Sequence, residues 1–306
     1  MKSLPVWHPE IAVDQAGARA LISAQFPQLD ASRVEAIGFG FDNTAFLVGG
    51  AYVFRFPRRA VAVALMEREM AVLPIVAPLV PIAIPVPILA GRPDGTYPWP
   101  FAGYELLDGS TASSLNLSDA DCERIAAPLG AFLRRLHSGH VRQAVGDALP
   151  GDLFGRLDHA RRLPLATERI AELESAGILH DVEALLGYMA QHPPAVCSDP
   201  CVVHGDMYAR HLLLDDGKNV CGVIDWGDAH VGDPALDLAI ALTMLPERAL
   251  PVFLAAYGDV AAATWERATY RAIYHSVLVA HYGYTSGDAE MLRTGVDSLA
   301  NLRKRS

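Results

Sequence analysis

Residues 202–228, VVHGDMYARHLLLDDGKNVCGVIDWGD, constrain the fold more than any other stretch of the chain. Val202 and Val203 are β-branched and lead into His204, Gly205 and Asp206, the composition of a strand giving way to a loop. A short apolar run, 212–214, follows His211, and Asp215, Asp216 and Gly217 then make a hairpin turn signal. A second apolar run, 220–224, ends on Asp225. The spacing predicts strand, loop, strand, turn, strand, with carboxylates at two strand ends. A hairpin whose aspartates only make turns is the plain alternative, and Asp215 and Asp216 fit it. Asp206 and Asp225, each placed just after a strand, do not.

Phosphoryl transfer needs such an arrangement, because the protein contributes positioning and charge neutralisation more than covalent chemistry. One aspartate must accept or orient the acceptor hydroxyl, and another must hold metal on the nucleotide phosphates; Asp206 and Asp225 suit these roles. The pattern resembles the kinase catalytic loop followed by a metal-binding Asp motif, with His204-Gly205-Asp206 and Asp225-Trp226-Gly227 in those places. The H-G-D and I-D-W forms are similar to those of the aminoglycoside phosphotransferase-like superfamily, which includes antibiotic kinases and choline kinases. The resemblance implies an α+β, bilobal protein-kinase-like fold with a small antiparallel-sheet N-lobe and a mostly helical C-lobe. It implies a nucleotide-binding lobe over 1–105 and a catalytic and substrate-binding lobe over 106–306.

His211 departs from the common pattern, which carries Asn there. An amide oxygen suits hard Mg²⁺, whereas an imidazole nitrogen suits softer divalent ions. His211 therefore either ligates metal, or hydrogen-bonds a metal-bound water or Asp206. Within the superfamily a His at this place resembles the macrolide 2'-phosphotransferases. That resemblance implies a macrolide acceptor, GTP (or ATP) as donor, Mg²⁺ as cofactor and a role in antibiotic resistance.

A chain of 306 residues, 51% apolar and 20% charged, is globular and has material for two lobes. Its net charge of −10 argues against nucleic acid, whose phosphates demand a basic surface. Cys122, Cys197, Cys201 and Cys221 match no zinc spacing, and no secretory signal is recognised. Reduced thiols in a cytoplasmic monomer are expected, with a Cys197–Cys201 redox pair as the alternative. Residues 70–91 carry no charge and imitate a membrane span, but Pro74, Pro78, Pro81, Pro85 and Pro87 interrupt them, so a buried connection and strand is expected.

In the N-terminal part, Asp14 is a candidate cap before an Ala-rich helix that ends near Pro27. Residues 37–48, IGFGFDNTAFLV, read either as a nucleotide-covering hairpin or as an ordinary β-turn. Residues 51–56 alternate, putting Tyr52, Phe54 and Phe56 on one face and Val53 and Arg55 on the other. Arg55 sits where kinases carry the strand lysine that contacts phosphates, and a solvated strand arginine is the alternative. Helical spacing over 60–73 offers Glu69, ahead of Glu67, as its ion-pair partner. The resemblance places the purine against the hinge backbone, near Tyr104, Glu105, Leu106 and Leu107.

Beyond the hinge, Ser118 and Asp121 signal a helix start, with Ile125, Leu129, Phe132, Leu133 and Leu136 on its apolar face and His137 at its end. Residues 150–190 read as further helices. The G-D-P-x-x-D-L form at 232–238 resembles the superfamily's structural motif, in which Asp237 braces the catalytic loop. Asp228 fits either an acceptor or metal contact or a turn cap. The aromatic-rich remainder, with Tyr274, His275 and His281, reads as helical core or as an acceptor wall above Met207 and Tyr208. An open apolar and aromatic pocket suits a macrolide; an aminoglycoside calls for converging acidic groups. The alternatives kept are an aminoglycoside or other amino-alcohol kinase of the same fold, and a non-catalytic nucleotide-binding relative.

Overall fold

The computed structural model describes residues 9–39 and 42–305. Gly40, one of the glycines of the 37–48 stretch, lies outside the described residues. By internal packing the chain forms two compact units, one reaching Pro78 and including Ala83–Leu107, the other made of Leu79–Ile82 and the chain from Asp108 onward.

The first unit begins with α1 (Gln15–Gln25), whose cap Asp14 accepts from the Gly17 amide at 2.8 Å. Strands β1 (Val34–Phe39), β2 (Asn43–Val48) and β3 (Tyr52–Pro57) follow, then α2 (Ala60–Val76), β4 (Pro87–Gly91) and β5 (Phe101–Glu105). The strands form one antiparallel sheet in the order β1-β2-β3-β5-β4. Alternation along β3 sends Phe54 and Phe56 into a core with Ala18, Leu21 and Ile22 of α1 and Phe101 of β5. Phe56 stacks on Phe101 with centroids 4.5 Å apart. Each such buried ring contributes about 1.5–3 kcal/mol relative to exposure. On the opposite face Ala102 and Tyr104 pack against Met66 of α2. Arg55 pairs across the sheet with Ala102, so it shares the α2 face. The uncharged stretch 70–91 ends α2, makes a single 3₁₀ turn at Ala77–Leu79 and enters β4.

The second unit is mostly helical. In chain order it holds β6 (Ser110–Thr111), α3 (Asp119–Leu136), α4 (Gly139–Val145), α5 (His159–Ser175), α6 (Glu183–Gln191), β7 (Cys201–Val203), β8 (Leu212–Leu214) and β9 (Val220–Val223). β10 (His230–Gly232), α7 (Ala235–Met244), α8 (Leu250–Tyr257), α9 (Ala262–Ser286) and α10 (Ala289–Arg303) complete it. Ser118 and Asp121 form a reciprocal capping box at the start of α3, and its five apolar side chains from Ile125 to Leu136 are fully buried. β7 pairs with β10, and β6, β8 and β9 make a small antiparallel sheet. α9 packs against α5, α7 and α10. It approaches α10 so closely that a Cβ on Gly283 would lie 2.2 Å from the Leu292 nitrogen. All four cysteines are free thiols. Among the described residues no helix is long and apolar enough to cross a membrane.

Candidate active site

In the first unit, Arg55 Nη1 donates to both carboxylate oxygens of Glu69, at 2.8 and 3.0 Å. Glu69 is 4% exposed, whereas Glu67 is exposed on the outer side of α2. The pair is therefore fixed, and it holds the guanidinium on the α2 face of β3. At the end of β5, Tyr104 is buried against α2 and Glu105 is exposed. The Leu106 amide donates to Ala51 O at 2.8 Å, so this amide is committed to the protein.

In the second unit the loop after β7 is held by Asp237, a fully buried carboxylate in the first turn of α7. The amide of His204 donates to its Oδ2 at 2.7 Å and that of Gly205 to its Oδ1 at 2.8 Å. His137, just past α3, lies 3.1 Å away through Nε2. Burial alone would raise the Asp237 carboxyl, but the hydrogen bond and charge of His137, with the Gly205 amide, hold it below its ordinary range. Gly205 has φ +82°, and a Cβ there would meet Asp228 O at 2.5 Å and the His230 ring at 2.9 Å. The turn that delivers Asp206 thus requires glycine.

His204 makes two further contacts. Its Nδ1 accepts from the Asp206 amide at 3.3 Å, and its Nε2–H donates to Ile224 O at 2.9 Å. Complete burial, with His211 beside it, pushes its pKa below the usual value, so the ring stays neutral. The Ile224 amide in turn donates to His211 O at 2.9 Å. Both backbone groups of the residue before Asp225 are therefore tied to the catalytic loop. Asp225 follows at φ +62°, beside Trp226, which is buried against His204.

Asp206 Oδ1 meets His275 Nε2 at 2.8 Å and Arg271 Nη2 at 3.5 Å, both from α9. Arg271 also donates to Gly205 O at 3.2 Å. Burial opposes ionisation of Asp206, but the His275 hydrogen bond, with the charges of His275, His211 and Arg271, outweighs it and holds the carboxyl well below the usual range. The site thus carries an ionised acceptor of hydrogen bonds.

His211 lies between the two aspartates. Its Nδ1 is 2.8 Å from Asp206 O, and only an N–H can satisfy a carbonyl, so the proton sits on Nδ1. Nε2 faces the other way, 3.5 Å from Asp225 Oδ2. The two nitrogens of His211 thus face different groups: one bonds the Asp206 backbone, the other lies beside Asp225. Among the described residues no group of three or more His, Cys, Asp or Glu could hold a metal by itself. Mg²⁺ at a nucleotide site takes one or two carboxylates and completes its shell with phosphate and water, so the Asp225 oxygen fits that demand, whereas the His211 Nε2 nitrogen suits a softer divalent ion.

Asp228 pairs with Arg156, which also holds Asp152 at 2.7 Å. Burial, with Asp206 and Asp225 nearby, raises the Asp228 pKa to about 6, against the pull of Arg156. Met207 and Tyr208 are buried, and Tyr208 stands edge-on to His211 and His275. Tyr274 is 2% exposed; its hydroxyl accepts from Arg162 at 2.9 Å and Arg169 at 3.3 Å. His281 is engaged with Glu172 at 2.7 Å. Tyr274 and His281 therefore sit in the seam between α9 and α5. Arg156, Arg271 and His275 carry no spacing signal that assigns them to the site. The one available hint is that 271 and 275 lie four apart on a helix and so share a face with each other.

A carboxylate-tipped catalytic loop braced from an α-helix, with a second aspartate at the next strand end, in a chain whose other unit is built on a five-stranded antiparallel sheet, defines a kinase-like phosphotransferase fold. The chain belongs to the APH phosphotransferase enzyme family, whose pattern matches residues 33–272. The GDP complex of wild-type aminoglycoside 2'-phosphotransferase-IIIa superposes with a TM-score of 0.69 at 23% identity, over 96% of this chain and 100% of that one. Macrolide 2'-phosphotransferase type I gives a TM-score of 0.62 at 24% identity, over 94% of this chain and 98% of that one. Viomycin phosphotransferase of Streptomyces vinaceus is 34% identical over 98 residues, 31% of this chain and 34% of that protein. An uncharacterized protein, YcbJ, of Bacillus subtilis (strain 168) is 32% identical over 66 residues, 22% of each chain. The matched stretches span about a third or less of these two relatives.

Proposed function

We propose that this protein transfers the γ-phosphate of a purine nucleoside triphosphate to a hydroxyl of a small-molecule antibiotic. The observation that carries the reading is the ionised Asp206, held from behind and placed one His ring from Asp225. In the reaction Asp206 accepts the proton of the acceptor hydroxyl while that oxygen bonds phosphorus and the bond to the β-phosphate oxygen breaks. Asp225, with His211 Nε2 beside it, would hold a divalent metal, Mg²⁺ in this reading through the Asp225 oxygen, and that ion would supply neutralisation of charge on the phosphates. Arg55, ordered by Glu69, contacts phosphate oxygens, and the backbone over 104–107, apart from the committed Leu106 amide, takes the purine. In this reading the lobe over 1–105 holds the nucleotide and the lobe over 106–306 holds the acceptor, with Asp228 among its contacts and Met207, Tyr208, Tyr274 and His281 shaping its wall.

A macrolide is our preferred acceptor and GTP our preferred donor. His211 in place of Asn supports the macrolide, and the GDP complex of a structurally similar enzyme supports the donor. The test is nucleoside diphosphate release with Mg²⁺, comparing GTP with ATP, against erythromycin, kanamycin and viomycin. Drug-stimulated release with one phosphate mass added to a single drug identifies the acceptor. Asp206→Ala is expected to lower turnover by roughly 10²–10⁴-fold while nucleotide still binds; wild-type turnover in that variant would sink the catalytic assignment.

A further inference from the structure

α9 offers the catalytic loop two N–H donors one turn apart, from His275 and Arg271, and both fall on the same oxygen. His275 Nε2 is 2.8 Å from Asp206 Oδ1, and Arg271 Nη2 is 3.5 Å from that atom. Asp206 Oδ2 accepts no hydrogen bond among the described residues; its neighbour His211 Nδ1, at 3.7 Å, has given its proton to Asp206 O. His275 is 8% exposed and 11% by side chain, and the edge-on ring of Tyr208, 5.1 Å between centroids, limits its freedom. Its ring cannot swing away without repacking the loop.

We propose that His275 is a positioning residue for the phosphoryl transfer: its Nε2–H pins Asp206 Oδ1 and so selects Oδ2 as the atom that takes the acceptor's proton. The idea rests on the kinase reading of Asp206. A carboxylate free to rotate about χ2 offers either oxygen in many directions, whereas one anchored at Oδ1 presents a single oxygen along a single line. Such alignment matters because a misplacement of about 1 Å at a reacting group costs roughly 10²-fold in rate. Arg271 does not duplicate this role, because its shorter contact is to Gly205 O and it mainly fixes the loop backbone. The proton balance is simple. The acceptor O–H proton moves to Oδ2, the acceptor oxygen bonds phosphorus, and His275 keeps its own proton throughout.

The test uses the full chain and two substitutions. His275→Leu removes the donor and is expected to lower kcat by roughly 10²-fold, with KM for nucleotide unchanged. His275→Gln places an amide Nε2–H near the same point and is expected to restore most of that loss. A purely structural role predicts instead that both variants lose melting temperature and activity together, with no rescue by Gln. A second arm needs no turnover: ¹⁵N NMR of the histidine side chains should show His275 protonated at Nε2, with that signal moving in Asp206→Asn. If the wild type transfers phosphate to no acceptor, the functional reading fails, and this arm still decides whether His275 binds Asp206. An unchanged kcat in His275→Leu, or a His275 signal indifferent to Asp206→Asn, overturns the proposal.

Discussion

Removing the Asp237 carboxylate by Asp237→Ala isolates the brace under the catalytic loop. The side chain is fully buried and receives the amides of His204 and Gly205 at 2.7 and 2.8 Å. Truncation leaves both amides buried without acceptors, each costing about 1–3 kcal/mol. Their sum is roughly 4 kcal/mol, close to the whole stability margin of many domains. At about 2–4 °C per kcal/mol for a unit of this size, the melting temperature should fall by about 8–16 °C. The Asp237 carboxyl is held below its ordinary pKa, so its contribution is fully present above the unfolded value of 3.8. The contribution is lost as pH falls through the lower folded value, and the gap between variant and wild type should narrow in acid. Circular dichroism melts at pH 7 and in the acid range measure both effects. A shift under 2 °C at pH 7, or a gap that widens in acid, would falsify the brace.

Gly205→Ala places a Cβ 2.5 Å from Asp228 O in a left-handed backbone, and steady-state assay should find kcat down by roughly 10²-fold with a lower melting temperature; a variant equal to wild type in both refutes the loop geometry. His211→Asn replaces a nitrogen ligand by an amide oxygen and should raise activity with Mg²⁺ relative to Mn²⁺, read as the ratio of activities with the two ions; an unchanged ratio means that Nε2 does not touch metal. Asp228 has a raised pKa, so its stabilising effect is complete below the unfolded value of 3.8 and is lost as pH rises past about 6. Asp228→Asn should therefore raise stability at pH 8 by roughly 1 kcal/mol, discounted because the side chain is 37% exposed. The two proteins should converge near pH 4, and a pH-independent difference in urea titrations contradicts the assignment.

Local signals were legible in the sequence because the chemistry that makes them is local. Asp14 and Ser118 each cap a helix within three residues of themselves. The strand-loop-strand spacing around Asp206 and Asp225 depends on neighbours in the chain, as does the role of Asp237 once its motif is read. Glu69 rather than Glu67 reaches Arg55 because helical period puts 66, 69 and 73 on the sheet side of α2. The surroundings of Asp206 were not legible. His275 and Arg156 reach the site from 69 and 72 residues away from their partners Asp206 and Asp228. In sequence, His275 looks like one more ring in an aromatic helix, and only α9's packing turns it towards the loop. The partners of Tyr274 and His281 were illegible for the same reason: helical spacing could not say that Arg162, Arg169 and Glu172 of α5 would engage them.

The double tether on Ile224 carries a consequence for control. Its carbonyl is taken by His204 and its amide by His211, so the acidic residue that follows is coupled to the loop bearing Asp206. Swinging Asp225 out of register would break two hydrogen bonds at once, a cost of roughly 1–3 kcal/mol before any repacking of Trp226. Displacing Asp225 independently of Asp206 carries that cost. A resting posture that separates the acidic pair would therefore be a minor state, and control by withdrawing Asp225 alone would have to supply the free energy of those bonds.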